Sequence, residues 1–147
     1  MTMELIYHYK DFKRIQDEIE SIEKRTDEIT EERVRRGGNL DYMRETYNSL
    51  WETRDKLESE IDKMRKQLIP EVGIPCTGCW YSDRSKGYIE KVLSPKTIQV
   101  KFNGVYSCTK VFTYRKNGHW VQKGTTSADP GVVLILGYEE DYYDPCF

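Results

Sequence analysis

Two stretches of this chain repeat apolar residues at alternating steps of three and four. The first runs Phe12, Ile15, Ile19, Ile22, Thr26, Ile29, and the second Leu40, Met43, Tyr47, Leu50, Arg54, Leu57, Ile61, Met64, Leu68. This is the a/d seam of a coiled coil, and no strand or loop pattern produces it. Between them lies Arg35-Arg36-Gly37-Gly38-Asn39, whose glycines and asparagine tolerate positive φ and end a helix. Asp41 then sits where the positive end of a second helix favours an acid. The expectation is an antiparallel helical hairpin over residues 1–70, turning at 37–39, with residue numbers that sum to about 76 facing each other. Ile29 then meets Tyr47, Ile22 meets Arg54, and Ile15 meets Ile61.

An isolated two-helix seam is thin. Val34, Tyr42 and Trp51 lie off it and call for a second copy of the hairpin or for the rest of the chain as cover. The hairpin is therefore read as an oligomerisation element carried by Ile15, Ile19, Ile22, Leu50, Trp51, Arg54, Leu57 and Ile61. Arg54 falls in the seam itself. It reads as a snorkelling side chain reaching an acid on the other arm, as a register device, or as an arginine aimed at a ligand.

The pattern changes at Leu68-Ile69-Pro70, where proline stops the helix. Residues 71–147 read as short strands at 76–82, 86–93, 96–103, 107–115, 119–124 and 131–138. Ser94-Pro95, Asn103-Gly104 and Asn117-Gly118 mark turns between them. Alternation is clear at Ile98, Val100 and Phe102 against Gln99 and Lys101. The fold class is α+β: a helical hairpin, then a small antiparallel barrel-like domain.

Charged residues make up 33% of the 147-residue chain against 37% apolar, a balance that suits a long solvated helix pair. Net charge is −2, so nothing draws the whole chain to nucleic acid or membrane. Without a long apolar run or a leader, the expected setting is the cytoplasm, where cysteines stay reduced. The charge is nevertheless segregated. From Arg84 to Gly124 there are nine Lys or Arg and one acid, Glu90, a balance of +8, whereas Thr125 to Phe147 carries five acids and no base.

The motif that first suggests chemistry is Cys76-Thr77-Gly78-Cys79. A structural zinc site needs four ligands, usually as two close pairs, and Cys108, Cys146 and His119 are all solitary. A redox pair wants a helix N-terminus, and these cysteines precede a strand. No metal and no cofactor is expected. Catalytic signatures such as G-x-S-x-G, H-E-x-x-H or a phosphate-cradling glycine loop are missing, so no catalytic residue is assigned and the chain reads as a non-enzyme.

The segments "YSDR" (81–84), "TYRKNGHWVQKG" (113–124) and "YEEDYYDPCF" (138–147) together resemble small uncharacterised proteins of tailed bacteriophages and related mobile elements. The resemblance covers about residues 73–147 and implies a compact β-domain and a phage origin, in the host cytoplasm. It implies no reaction. The chain departs from that family in its short "NGVYSC" connection and in the hairpin placed in front.

Basic strands interleaved with aromatics suggest an anion-holding surface: cations for phosphate, π-faces for bases. Its expected residues are Tyr81, Asp83, Arg84, Lys86, Tyr114, Arg115, Lys116, Trp120 and Lys123. The leading expectation is a homo-oligomer, a dimer or higher, that sequesters a nucleotide-like anion, a role that fits phage counter-defence. One alternative is a scaffold or inhibitor that meets a host protein through the hairpin. Another is a single-stranded nucleic-acid-binding module. On the bland reading the lysines are a solvated strand face, the aromatics are core, and the acidic tail folds back over the patch.

Overall fold

The structure, a computed structural model, describes residues 4–38, 43–125 and 131–145. The chain divides into two compact units, one of residues Lys10–Met64 and one formed by the leading segment to Tyr9 with everything from Arg65 onward. The expected turn residues Asn39, Leu40, Asp41 and Tyr42, and Cys146, lie outside the described residues.

The first unit holds α1 (Tyr9–Arg35) and α2 (Arg44–Arg65). At 27 residues and about 1.5 Å per residue, α1 is roughly 40 Å long. Its seam is the face that is shielded: Phe12, Ile19, Thr26 and Ile29 are buried, Ile15 and Ile22 half-buried. Thr26 is tolerated there because its hydroxyl donates to the Glu23 carbonyl at 2.8 Å. The helix ends as its glycines dictate. Gly37 and Gly38 take φ of 79° and 93°, and the Gly38 amide returns to the Arg33 carbonyl at 2.8 Å.

On α2, Tyr47, Leu50, Arg54 and Leu57 are half-buried, and Ile61 and Met64 buried. Arg54 joins the two helices. Its guanidinium lies 2.8 Å from Glu23 on α1 and 2.9 Å from Glu58 one turn along α2, and it stacks 4.9 Å over the Trp51 ring. Of the readings open for Arg54, the acid on the other arm is the one observed. Trp51 and Val34 are 36% and 76% exposed. The heptad pattern overshoots at its end, because α2 stops at Arg65. Leu68, fully buried, instead pairs with Tyr7 as an isolated parallel bridge inside the second unit.

That second unit is a closed antiparallel barrel, β1 (Pro75–Trp80), β2 (Asp83–Ser94), β3 (Thr97–Asn103), β4 (Ser107–Tyr114), β5 (Trp120–Gln122) and β6 (Val133–Leu136). Each strand pairs with its neighbour in sequence, and β6 closes on β1. The inward parity sends Cys76, Ile89, Ile98, Val100, Phe102, Phe112, Leu134 and Leu136 into the core. Register shifts at Ile89/Lys91 and Val92/Ser94 bend the 12-residue β2 so that the sheet can curl. Gly78 and Gly87 let the Phe102 ring lie flat against β1 and β2. A Cβ on Gly87 would stand 2.6 Å from the Lys101 carbonyl oxygen, and one on Gly78 2.6 Å from Phe102.

Candidate functional site

The expected anion-binding residues fall into two groups, and the fold separates them. Tyr81, Asp83, Arg84 and Lys86 cluster at the start of β2. There Ser85 bonds with Tyr106, in the loop that closes the β3–β4 hairpin. Tyr114, Arg115 and Lys116 lie at the opposite end of that hairpin, where the Tyr114 amide donates to the Lys96 carbonyl just before β3.

Within the second group the aromatics are core. Tyr114 and Trp120 are 8% and 3% exposed and stack on one another with centroids 5.1 Å apart. The Tyr114 hydroxyl donates to the Lys66 carbonyl. Arg115 donates to the Thr125 carbonyl at 2.7 Å, holding a loop, whereas Lys116 and Lys123 are exposed. The alternation that places Phe112 inward also places Tyr114 inward, so their burial was readable from sequence parity.

The first group is a latch. The β1–β2 hairpin turns on Tyr81-Ser82 between the paired Trp80 and Asp83, with Tyr81 at φ 49° and 95% exposed. Arg84 turns its Nη1 back on the carbonyls of Tyr81 and Asp83, at 3.1 and 3.0 Å. Its backbone exchanges both hydrogen bonds with Tyr142, at 2.7 and 2.8 Å, so the acidic tail takes the place beside β2 that β3 no longer fills. Asp83 is buried and accepts the Tyr106 hydroxyl at 2.5 Å and the Asp144 amide at 2.8 Å. Thr77 ties down Tyr138 and Glu140, and Asp141 accepts the Val105 amide at 2.8 Å. Gly104 is what lets Asp141 approach, since a Cβ there would sit 2.0 Å from its carboxylate oxygen. The segments "YSDR" and "YEEDYYD" therefore bind each other.

The Asp144 amide, then the Tyr106 hydroxyl, hold the Asp83 carboxyl below its usual range. A carboxyl depressed in the folded state contributes fully above its unfolded value of about 4, and the contribution is lost as pH falls through the folded value. Acid should therefore free the tail before the barrel unfolds. The protection factor of the Asp144 amide, followed by NMR hydrogen exchange, should fall below about pH 4, and Asp83→Asn should remove that dependence.

The cysteine motif resolves by parity. Cys76 faces the core opposite Gly87, and Cys79 faces outward opposite Arg84, so the two thiols project from opposite sides of β1. Burial pushes the Cys76 thiol up. Cys79 is raised mainly by desolvation, with Arg84 opposing and Glu140 adding to it. Among the described residues no group of three or more His, Cys, Asp or Glu side chains could hold a metal ion. Alkylation of the native protein, read by mass, should modify Cys79 well ahead of Cys76, and mild oxidation should not join them.

What the sequence underrated is the outer face of β2 and β3. Lys86, Lys91 and Lys101 are exposed there, and Tyr88, half-buried, pairs directly with Lys101. The inward partners Gly87 and Phe102 fix that parity. Among the described residues, none of the three ammonium groups lies within ion-pair distance of a carboxylate. Glu90 bulges out of register nearby and accepts a bond from Gln99 at 3.5 Å. The face is an open, cationic strip with one aromatic ring and one acid, Glu90.

No family model, no curated protein and no solved structure matches this chain. Among the described residues, no helix is long and apolar enough to cross a membrane.

Proposed function

We propose that this is a non-catalytic binding protein whose barrel holds a phosphate-rich, nucleotide-bearing ligand on the outer face of β2 and β3. The observation that carries the reading is the set of three exposed lysines, unpaired among the described residues, around Tyr88 on one strand pair. Ammonium groups spaced along an open strand face suit a run of phosphates better than a single mononucleotide, which wants a cup. Single-stranded nucleic acid is therefore the favoured ligand class, ahead of the sequestered signalling nucleotide that a phage counter-defence role would imply. The acidic tail accounts for Arg84, which serves the latch, so the lysines take over the cationic role expected of it.

The hairpin is proposed as the self-association element, a coiled-coil seam completed by a second copy. Exposed Trp51 beside the Arg54–Glu23 bridge favours that reading.

Fluorescence anisotropy with a labelled 12-nucleotide oligothymidine tests the ligand assignment. Saturable binding at low salt, competed by unlabelled single strand, is expected. Absence of binding at 50 mM salt with protein in the tens of micromolar would remove the proposal.

A further inference from the structure

The end of the barrel next to the lysine strip carries a concentration of exposed aromatic surface. Tyr81, Tyr142 and Tyr143 are 95%, 47% and 58% exposed, and Val105 beside them 39%. None of these rings belongs to the core, and none is loosely held by the backbone. Tyr81 occupies the left-handed region, which a large side chain seldom adopts, and its carbonyl is gripped by Arg84 at 3.1 Å. Tyr142 is paired through both backbone groups with Arg84, and Asp144, just past Tyr143, is anchored on Asp83.

Residues paired across strands share a face, so Tyr142 stands beside Arg84 on the outer surface. Lys86 follows Arg84 two residues along the same face, so the aromatic end and the lysine strip are continuous. The charge around the tyrosines is the reverse of the strip's. Glu139, Glu140, Asp141 and Asp144 flank Tyr142 and Tyr143 along the chain, and acids repel phosphate while leaving a neutral ring unaffected.

We propose that Tyr81 and Tyr142, both anchored on Arg84, form a stacking platform for unpaired bases at the end of a nucleic-acid strand. The strand's phosphates run along Lys86, Lys101 and Lys91. This rests on the reading of β2 and β3 as the phosphate-holding face and adds what that face lacks, a contact that requires a base. Stacking is sequence-tolerant, because every base presents a π-face.

Tyr81→Asn, a residue that accepts positive φ, and Tyr142→Ser keep the backbone latch and remove the rings. The probes are labelled oligothymidine of 12 nucleotides and inorganic polyphosphate, which offers phosphates without bases. Each variant is expected to bind the oligonucleotide roughly 5- to 100-fold more weakly, with unchanged melting temperature and unchanged polyphosphate affinity. Oligonucleotide affinity unchanged in both variants, while Lys86→Glu with Lys101→Glu still abolishes it, overturns the platform and leaves the lysine face standing. Equal loss for polyphosphate also overturns it, since the rings would then act only through the fold. If the unmodified protein binds neither probe, the lysine face and the platform fall together.

Discussion

Truncating Phe102 to alanine is expected to remove about 3–5 kcal/mol from the stability of the β-unit, the range for emptying a buried aromatic site. Phe102 is fully buried near the end of β3. Its ring meets Trp80 edge-on at 4.9 Å and Phe112 at 6.0 Å. Gly78 and Gly87 have no side chains that could move into the space. With a whole domain worth about 5–15 kcal/mol, such a loss leaves the barrel marginal at best. The converse change tests the same packing. Gly87→Val drives a side chain into the Lys101 carbonyl and the Phe102 backbone, which belong to the partner strand and cannot swing away. Urea unfolding followed through Trp80 and Trp120 fluorescence reads both variants, and a barrel midpoint that hardly moves would contradict this account of the core.

The second large effect concerns binding. Reversing Lys86, Lys91 and Lys101 to glutamate replaces three positive charges on this face by three negative ones without touching an inward-facing residue. Removing a phosphate contact weakens binding, and replacing it with a like charge adds repulsion. The triple variant is expected to lose oligonucleotide affinity by at least about 100-fold, while its melting temperature stays within a few degrees. Lys116→Glu with Lys123→Glu, at the β4–β5 side, should change affinity by only a few-fold. An equal loss from both sets would place the ligand elsewhere, or spread it over the whole barrel.

Much of this architecture is written in short-range pattern. The three-four seam and the Gly37-Gly38 break specify the two helices, and alternation with Asn-Gly and Ser-Pro turns specifies the strands. What sequence pattern missed has physical causes. Strand β2 begins at Asp83, three residues earlier than the turn signals suggest, because the preceding turn uses Tyr81 at positive φ where glycine or asparagine is the usual marker. Leu68 continues the heptad numerically but leaves the helix, because its neighbours find backbone partners at Ile6 and Tyr7, sixty residues away. The tail reads as a block of acids. Its real work is hydrogen bonding to Thr77, Asp83 and Arg84 across about sixty residues of chain, a distance that local pattern cannot span.

The proposed face shares Lys86 with the residues expected from sequence and differs from them elsewhere. A basic, aromatic barrel surface was expected, and one exists. The expected arginines, however, are engaged with backbone carbonyls, and the expected Tyr114 and Trp120 are buried. Lys91 and Lys101 contribute to the segment's positive balance, but neither lies in a local motif. Only the register of β2 against β3, Tyr88 opposite Lys101 and Lys91 opposite Gln99, puts them on one face.

The most direct test of the phosphate-holding face is the salt dependence of oligothymidine binding. Each phosphate neutralised on a single strand contributes a slope of about −0.7 in log affinity against log salt, so three lysines predict about −2. Substituting Lys101 alone should reduce that slope by about 0.7. A slope near zero, or one that Lys101→Ala leaves unchanged, would contradict the assignment of this face.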